Sequence, residues 1–139
     1  DNLTMATDTF VYEALSHPKR EFRLLKIQTY NSETAPSVRC ELASFPLDEA
    51  PPYHTISYTW GDDEDKAQPI LILVNDRQFK ALPNSEGALR QAWAYNRDLH
   101  IWIDSICINQ QDISERNAQV SIMGQIYMNC EQVLACVGD

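Results

Sequence analysis

The chain has 139 residues, 44% apolar and 22% charged, which fits one globular domain and excludes a disordered tail or two full-sized domains. Eleven Lys and Arg against 20 Asp and Glu leave a net charge of −9. With that balance and no basic run, neither nucleic acid nor an anionic membrane surface is an expected partner.

Asp1 to Arg20 is polar and mixed, and His17-Pro18-Lys19-Arg20 reads as a turn. Phe22 to Ile27 is a short apolar run that suits a strand, and Pro36 marks the loop after it. Cys40 to Phe45 alternates as a second strand, and Pro51-Pro52 forces extended backbone. In His54 to Trp60, Ile56, Tyr58 and Trp60 point one way and Thr55, Ser57 and Thr59 the other. β-Branched and aromatic residues dominate this segment, so a strand is expected, ended by Gly61. Asp62 to Asp65 follows as an acidic loop. Ile70 to Val74 and Arg77 to Ala81, joined by Asn75-Asp76, predict a hairpin.

Asn84 or Ser85 is the expected cap of a helix whose buried stripe is Ala88, Leu89, Ala92 and Trp93. His100 to Ile108 is nearly continuous apolar, as a strand covered on both faces requires, interrupted by Asp104 and Ser105. Asp112 or Ser114 caps a second helix to about Asn129, with Ala118, Ile122, Met123, Ile126 and Tyr127 inward. Val133 to Val137 reads as another fully buried strand, ended by Gly138. Strand and helix alternate from Ile70 onward, which predicts an α/β fold: a sheet mostly parallel in its C-terminal half, flanked by helices, with additional N-terminal strands and the hairpin.

Ligands of open α/β sheets bind beyond the carboxyl ends of the strands. Two polar loops leave such ends: Trp60-Gly61-Asp62-Asp63, and the segment from Asp104 through Cys107, Asn109, Gln110 and Gln111 to Asp112. If their strands are parallel neighbours, the loops share one rim. Trp60 reads as packing or as a stacking surface, and Gly61 as a turn that a side chain would block. Asp104 either sits at the strand mouth, paired to a loop amide or an arginine, or serves a ligand, because an unpaired buried charge is expensive. Glu115, three residues after Asp112, resembles a capping-box carboxylate. Arg116 can pair with Asp104 or Glu115, or hold an anionic ligand. Asn109 and Gln110 can knit the loop to backbone.

The cysteines, Cys40, Cys107, Cys130 and Cys136, lack CxxC spacing and read as reduced core thiols. His17, His54 and His100 are scattered, so no metal site is expected. A Cys107 nucleophile would have to borrow His54 or His100 across space. Phosphate-loop, dinucleotide, zincin and serine-hydrolase motifs are absent from the sequence.

Tyr53 to Asp62 (YHTISYTWGD) resembles the YxxLSYxWGd block of the fungal HET (heterokaryon incompatibility) domain. Ile101 to Gln110 (IWIDSICINQ) resembles its lWIDaiCINQ block, which continues through Asp112, Glu115, Arg116, Gln119, Val120, Met123, Ile126 and Tyr127. Val133 to Gly138 is similar to the closing vlvWLG, and Phe22-Arg23-Leu24-Leu25 to the opening iRLL. The likeness spans about residues 22–138, with Ile56 for a usual Leu and Cys136-Val137-Gly138 for Trp-Leu-Gly. It makes the 139 residues a single HET domain, expected to be the N-terminal part of a longer protein, with a TIR/flavodoxin-like sheet.

The resemblance implies a cytoplasmic effector that triggers programmed cell death on non-self recognition, a form of innate immunity, through homo-oligomers or other HET- or TIR-like partners. Some TIR domains cleave NAD, so NAD is a possible substrate, with no other cofactor implied. The catalytic glutamate of those enzymes lies on a helix after the strand matching Val133 to Val137, which would place it outside this chain. Glu86 and Glu115 sit elsewhere in the pattern. Asp104 and Glu115 are the catalytic candidates. Ser57, Tyr58, Trp60, Gly61, Asp62, Asp104, Cys107, Asn109, Gln110 and Arg116 are the candidates for ligand or loop contact.

Overall fold

The computed structural model describes residues 8–58 and 68–136. The strands are β1 Glu21–Tyr30, β2 Val38–Pro46, β3 Tyr53–Tyr58, β4 Ile70–Val74, β5 Arg77–Ala81, β6 His100–Trp102 and β7 Gln132–Cys136. They form one sheet in the order β5-β4-β2-β1-β6-β3-β7. The helices are α1 Pro83–Tyr95, α2 Asp104–Cys107 and α3 Ile113–Asn129.

β1 is central, and Phe22, Arg23, Leu24, Leu25 and Ile27 are all buried. β2 pairs with it antiparallel and keeps the alternation of a half-covered strand: Val38, Cys40 and Leu42 lie inside, Arg39 and Glu41 outside. The β4–β5 hairpin turns at Asn75 and Asp76, with φ of 52° and 64°. Two left-handed residues in a two-residue loop match the right-handed twist of the flanking strands. Asn75 also bonds β2 through its side chain: Oδ1 accepts from the Leu42 N–H at 2.9 Å and Nδ2 donates to the Leu42 carbonyl at 3.1 Å.

β2 and β4 pair parallel, and so do the three strands β6-β3-β7. Tyr53, His54 and Thr55 lie opposite His100, Ile101 and Trp102, and His54 through Tyr58 lie opposite Gln132 through Cys136. Successive side chains of β3 reach opposite faces. The Tyr53 hydroxyl donates to the Ile126 carbonyl of α3 at 2.6 Å, whereas the His54 ring stands 6.3 Å from that of Tyr95 on α1. The two long helices therefore cover opposite faces of this strand.

The structure corrects several expectations. The cap of α1 is neither Asn84 nor Ser85. Leu82 holds that place without a side-chain bond and Pro83 opens the helix, where its missing N–H costs nothing and its φ is already helical. The apolar run His100 to Ile108 is not one strand. The sheet ends at Trp102, and Ile106 and Cys107 donate their N–H groups back to the Ile103 carbonyl. Ile106, Cys107 and Ile108 stay buried, and a short buried run satisfies strand and helical turn equally, so the pattern alone could not decide. β7 is not fully buried. It is an edge strand on which Gln132, Val133 and Ala135 are exposed, while Val137 and Gly138 lie outside the described residues.

Candidate functional site

β3 and β6 are parallel neighbours with Thr55 opposite Trp102. Their carboxyl ends therefore lie on the same end of the sheet, and β7 ends there beside Tyr58. Ser57 is exposed on β3. Trp60, Gly61 and Asp62 lie outside the described residues.

The polar centre of the domain is a buried ion pair that joins the first and third motif segments. Arg23 of β1 donates from Nη1 and Nη2 to Oε2 and Oε1 of Glu115, both at 2.8 Å, and each side chain is only 5% exposed. Nη1 also donates to the Cys107 carbonyl at 3.0 Å and Nη2 to the Glu13 carbonyl at 2.9 Å. The guanidinium lies 4.9 Å from the centre of the Tyr12 ring. Glu115 Oε2 further accepts from the Asn109 N–H at 2.8 Å. Both charges are thus paired and hydrogen-bonded, the condition under which burial is tolerable. An arginine inside the apolar run FRLLKI was the available signal, because a charge there needs a buried counter-ion. Glu115 is the carboxylate that answers it.

This pair corrects two expectations. Arg116 pairs with neither Asp104 nor Glu115; it is exposed on α3. Glu115 does not close a capping box. The cap is one-sided: Asp112 Oδ1 accepts from the Glu115 N–H at 3.1 Å, while the Glu115 carboxylate turns to Arg23 and Asn109.

Other motif residues also serve as internal ties. Asn109 Oδ1 accepts from the Gln111 N–H at 3.1 Å, and Gln110 Nε2 donates to the Asp104 carbonyl at 3.0 Å. Gln119, wholly buried, donates to the carbonyls of Pro18 at 2.8 Å and Glu21 at 2.7 Å. The Cys107 thiol is buried and lies 3.8 Å from the Ile101 carbonyl. Burial pushes it up to about 12, against smaller opposing pulls from the Ile103 backbone and Arg23. A thiol held protonated so far above neutrality is no nucleophile.

Asp104 stands apart. It begins α2 and is half-buried, and burial raises its carboxyl above the usual range, while backbone hydrogen bonds at Ser105 and Asp104 itself pull the other way. The first backbone amides of α2 are thus its partners, and neither ion pair among the described residues includes it. Its charge reaches Tyr127, whose hydroxyl is raised by burial first and by Asp104 second. The Tyr127 ring packs edge-on against Trp102, centroids 5.6 Å apart. Next to Asp104, the Ser105 hydroxyl meets that of Ser85 at 2.7 Å, joining α2 to α1. Glu86 accepts from the Ser37 hydroxyl at 2.8 Å.

The arrangement offers one partly solvated carboxylate on a strand–helix turn. Open grooves lined by described residues lie elsewhere: about 690 Å³ beside Ser16 to Arg20 and α3, and about 280 Å³ between α1 and β7. Among the described residues no group of three His, Cys, Asp or Glu could hold a metal ion, and no helix is long and apolar enough to cross a membrane.

The family described as heterokaryon incompatibility protein (HET) matches residues 53–139. Heterokaryon incompatibility protein 6, OR allele, of Neurospora crassa is 32% identical over 146 aligned positions, covering 96% of this chain and 21% of that protein. The chain therefore spans about a fifth of the length of that relative. No solved structure matches. The family match covers β3, both long helices, β6 and β7, and on this ground the chain belongs to the heterokaryon incompatibility (HET) family.

Proposed function

We propose that this domain acts in fungal heterokaryon incompatibility as an effector that triggers cell death on non-self recognition, and that it works by TIR-like self-association. Family membership supports the role. The mechanism is carried by one observation: the polar residues of α3 that burial encloses, Glu115 and Gln119, are spent on internal ties. Glu115 is locked to Arg23, Gln119 to the turn before β1, and the Cys107 thiol is protonated and buried. Such residues build a rigid scaffold that presents a surface, rather than an assembled acid–base pair. The expected partners are further copies or other HET- or TIR-like domains, and the expected location is the cytoplasm.

Fusing the domain to a chemically induced dimeriser in a fungal cell tests this reading. Loss of viability on adding the dimeriser is the expected result. Unchanged viability at a verified protein level would refute it.

A second reading has one observation in its favour. Asp104 is a half-buried carboxylate with no cationic partner among the described residues. A domain that cleaved NAD at the nicotinamide bond would need such a carboxylate to steady the cationic sugar, with the catalytic glutamate supplied from outside this chain. Nicotinamide release from NAD by the assembled full-length protein tests it. No release under conditions that kill cells removes it.

A further inference from the structure

We propose that the turn at residues 17–20 and the outer side of α3 form a phosphate-binding site, which takes the terminal phosphate of a small molecule or of a phosphorylated side chain. The proposal does not depend on the self-association reading above, and none of the candidate residues already placed lines this site.

The turn is basic in an acidic chain. It reads His-Pro-Lys-Arg, whereas the whole chain carries −9. His17, Lys19 and Arg20 are exposed, and neither ion pair among the described residues includes them. The backbone beneath these side chains is fixed. Arg20 and Glu21 donate their N–H groups to the His17 carbonyl at 2.8 and 2.9 Å, and the Leu47 N–H donates to the Arg20 carbonyl at 2.8 Å. Gln119 ties the Pro18 and Glu21 carbonyls to α3. Its amide N–H groups go to this turn, and its buried Oε1 has no partner among the described residues. An unpaired buried acceptor costs stability, and that cost accompanies the anchoring of the basic turn. A turn ordered in advance lowers the entropy lost when a ligand binds.

α3 completes the site. The open groove of about 690 Å³ between turn and helix is lined by His17, Lys19, Arg20, Ser114, Asn117 and Ser121, and no Asp or Glu is among the described residues that line it. Ser114 stands in the first turn of α3, where the helix N-terminus favours an anion. Guanidinium, ammonium, hydroxyl and amide groups are the donors that hold phosphate oxygens. The carboxylates nearest in the chain are engaged elsewhere: Glu21 Oε1 accepts from the His17 N–H at 3.0 Å, and Asp112 Oδ1 from the Glu115 N–H at 3.1 Å. At physiological salt, exposed charges further apart than about 8 Å are largely screened. The cations of the turn, rather than the net charge of the chain, therefore decide what binds here. Lys19, Arg20 and a histidine suit a compact dianion and are too few to neutralise a polyanion.

Titrating the chain with inorganic phosphate, followed by backbone amide NMR shifts and set against sodium chloride at matched ionic strength, tests the proposal. Saturable shifts in residues 16–20 and 114–121 are expected with phosphate and not with chloride. Lys19→Gln with Arg20→Gln should weaken binding roughly tenfold or more, and Arg20→Gln alone about threefold. Arg77→Gln, which removes an exposed cation on β5, should leave binding unchanged. A phosphoserine peptide and a sugar phosphate then separate the two sources, because the true source binds more tightly than inorganic phosphate. Three results would each overturn the proposal: shifts that rise linearly and match those of chloride; saturable shifts confined to other parts of the chain; or undiminished binding by both the single and the double variant.

Discussion

Replacing Glu115 by leucine isolates the ion pair on which the scaffold turns. The substitution leaves the Arg23 guanidinium, in a side chain 5% exposed, without a counter-ion. It also strips one acceptor from the Asn109 N–H. Breaking a buried pair from one side costs about 3–5 kcal/mol, chiefly because the remaining charge stays desolvated. Arg23 keeps its bonds to the Cys107 and Glu13 carbonyls, which favours the lower half of that range. For a chain of 139 residues, each kcal/mol moves Tm by about 3–4 °C, so Glu115→Leu should lower Tm by about 10–15 °C. Removing both charges, as Arg23→Met with Glu115→Leu, should recover most of the loss, because no isolated charge remains. Urea unfolding of the four proteins of this cycle gives the coupling directly. A loss below about 1 kcal/mol for the single variant would place the pair in the class of solvated surface bridges and refute the reasoning.

Asp104→Asn should stabilise the fold at neutral pH, by less than about 1 kcal/mol because the group is partly solvated. The raised folded-state carboxyl means that ionisation destabilises: the penalty is absent below the unfolded pKa and grows as pH rises through the folded one. The difference in Tm between variant and wild type should therefore shrink on acidification, and a destabilising Asp104→Asn at pH 7 would contradict the burial described for it. In folded protein at neutral pH, Cys107 should resist thiol reagents and react only on unfolding, as peptide mapping of alkylated protein would show. Asn75→Ala should cost about 2–3 kcal/mol, from a left-handed φ of 52° and two bonds to Leu42, whereas Asp76→Gly should stay within about 0.5 kcal/mol. Denaturant midpoints of the two variants separate these outcomes.

Legibility in the sequence followed periodicity. β2 alternates, the hairpin is marked by Asn75-Asp76 between two short strands, and the stripe of α1 recurs at helical spacing, and the structure has these elements where those signals lie. The run His100 to Ile108 failed because Ile101 to Ile103 and Ile106 to Ile108 are all buried while the backbone turns from strand to helix after Ile103, and hydropathy does not report φ and ψ. β7 failed for a different reason: composition reports what a strand is suited to touch, not what stands beside it. The Arg23–Glu115 pair joins residues 92 positions apart, a separation that no local pattern encodes. Only the misfit of Arg23 with the apolar run around it pointed to it.

The same pair changes how the candidate residues are to be read. Glu115, Cys107, Asn109 and Gln110 sit in the block that most resembles the family: Glu115 and Cys107 are buried, against Arg23 and Ile101, while Asn109 and Gln110 knit the loop at its surface through Gln111 and Asp104. Substituting them tests folding before it tests function. Asp104, Ser57 and Arg116 differ: no side chain among the described residues holds the Asp104 carboxylate, and Ser57 and Arg116 are exposed. A useful mutational series therefore begins with Asp104→Asn, scored for toxicity alongside Tm. Toxicity lost in a variant that gains stability would assign the carboxylate to function, because a structural role cannot produce those two changes together. Toxicity retained in the same variant would leave surface association as the working mechanism.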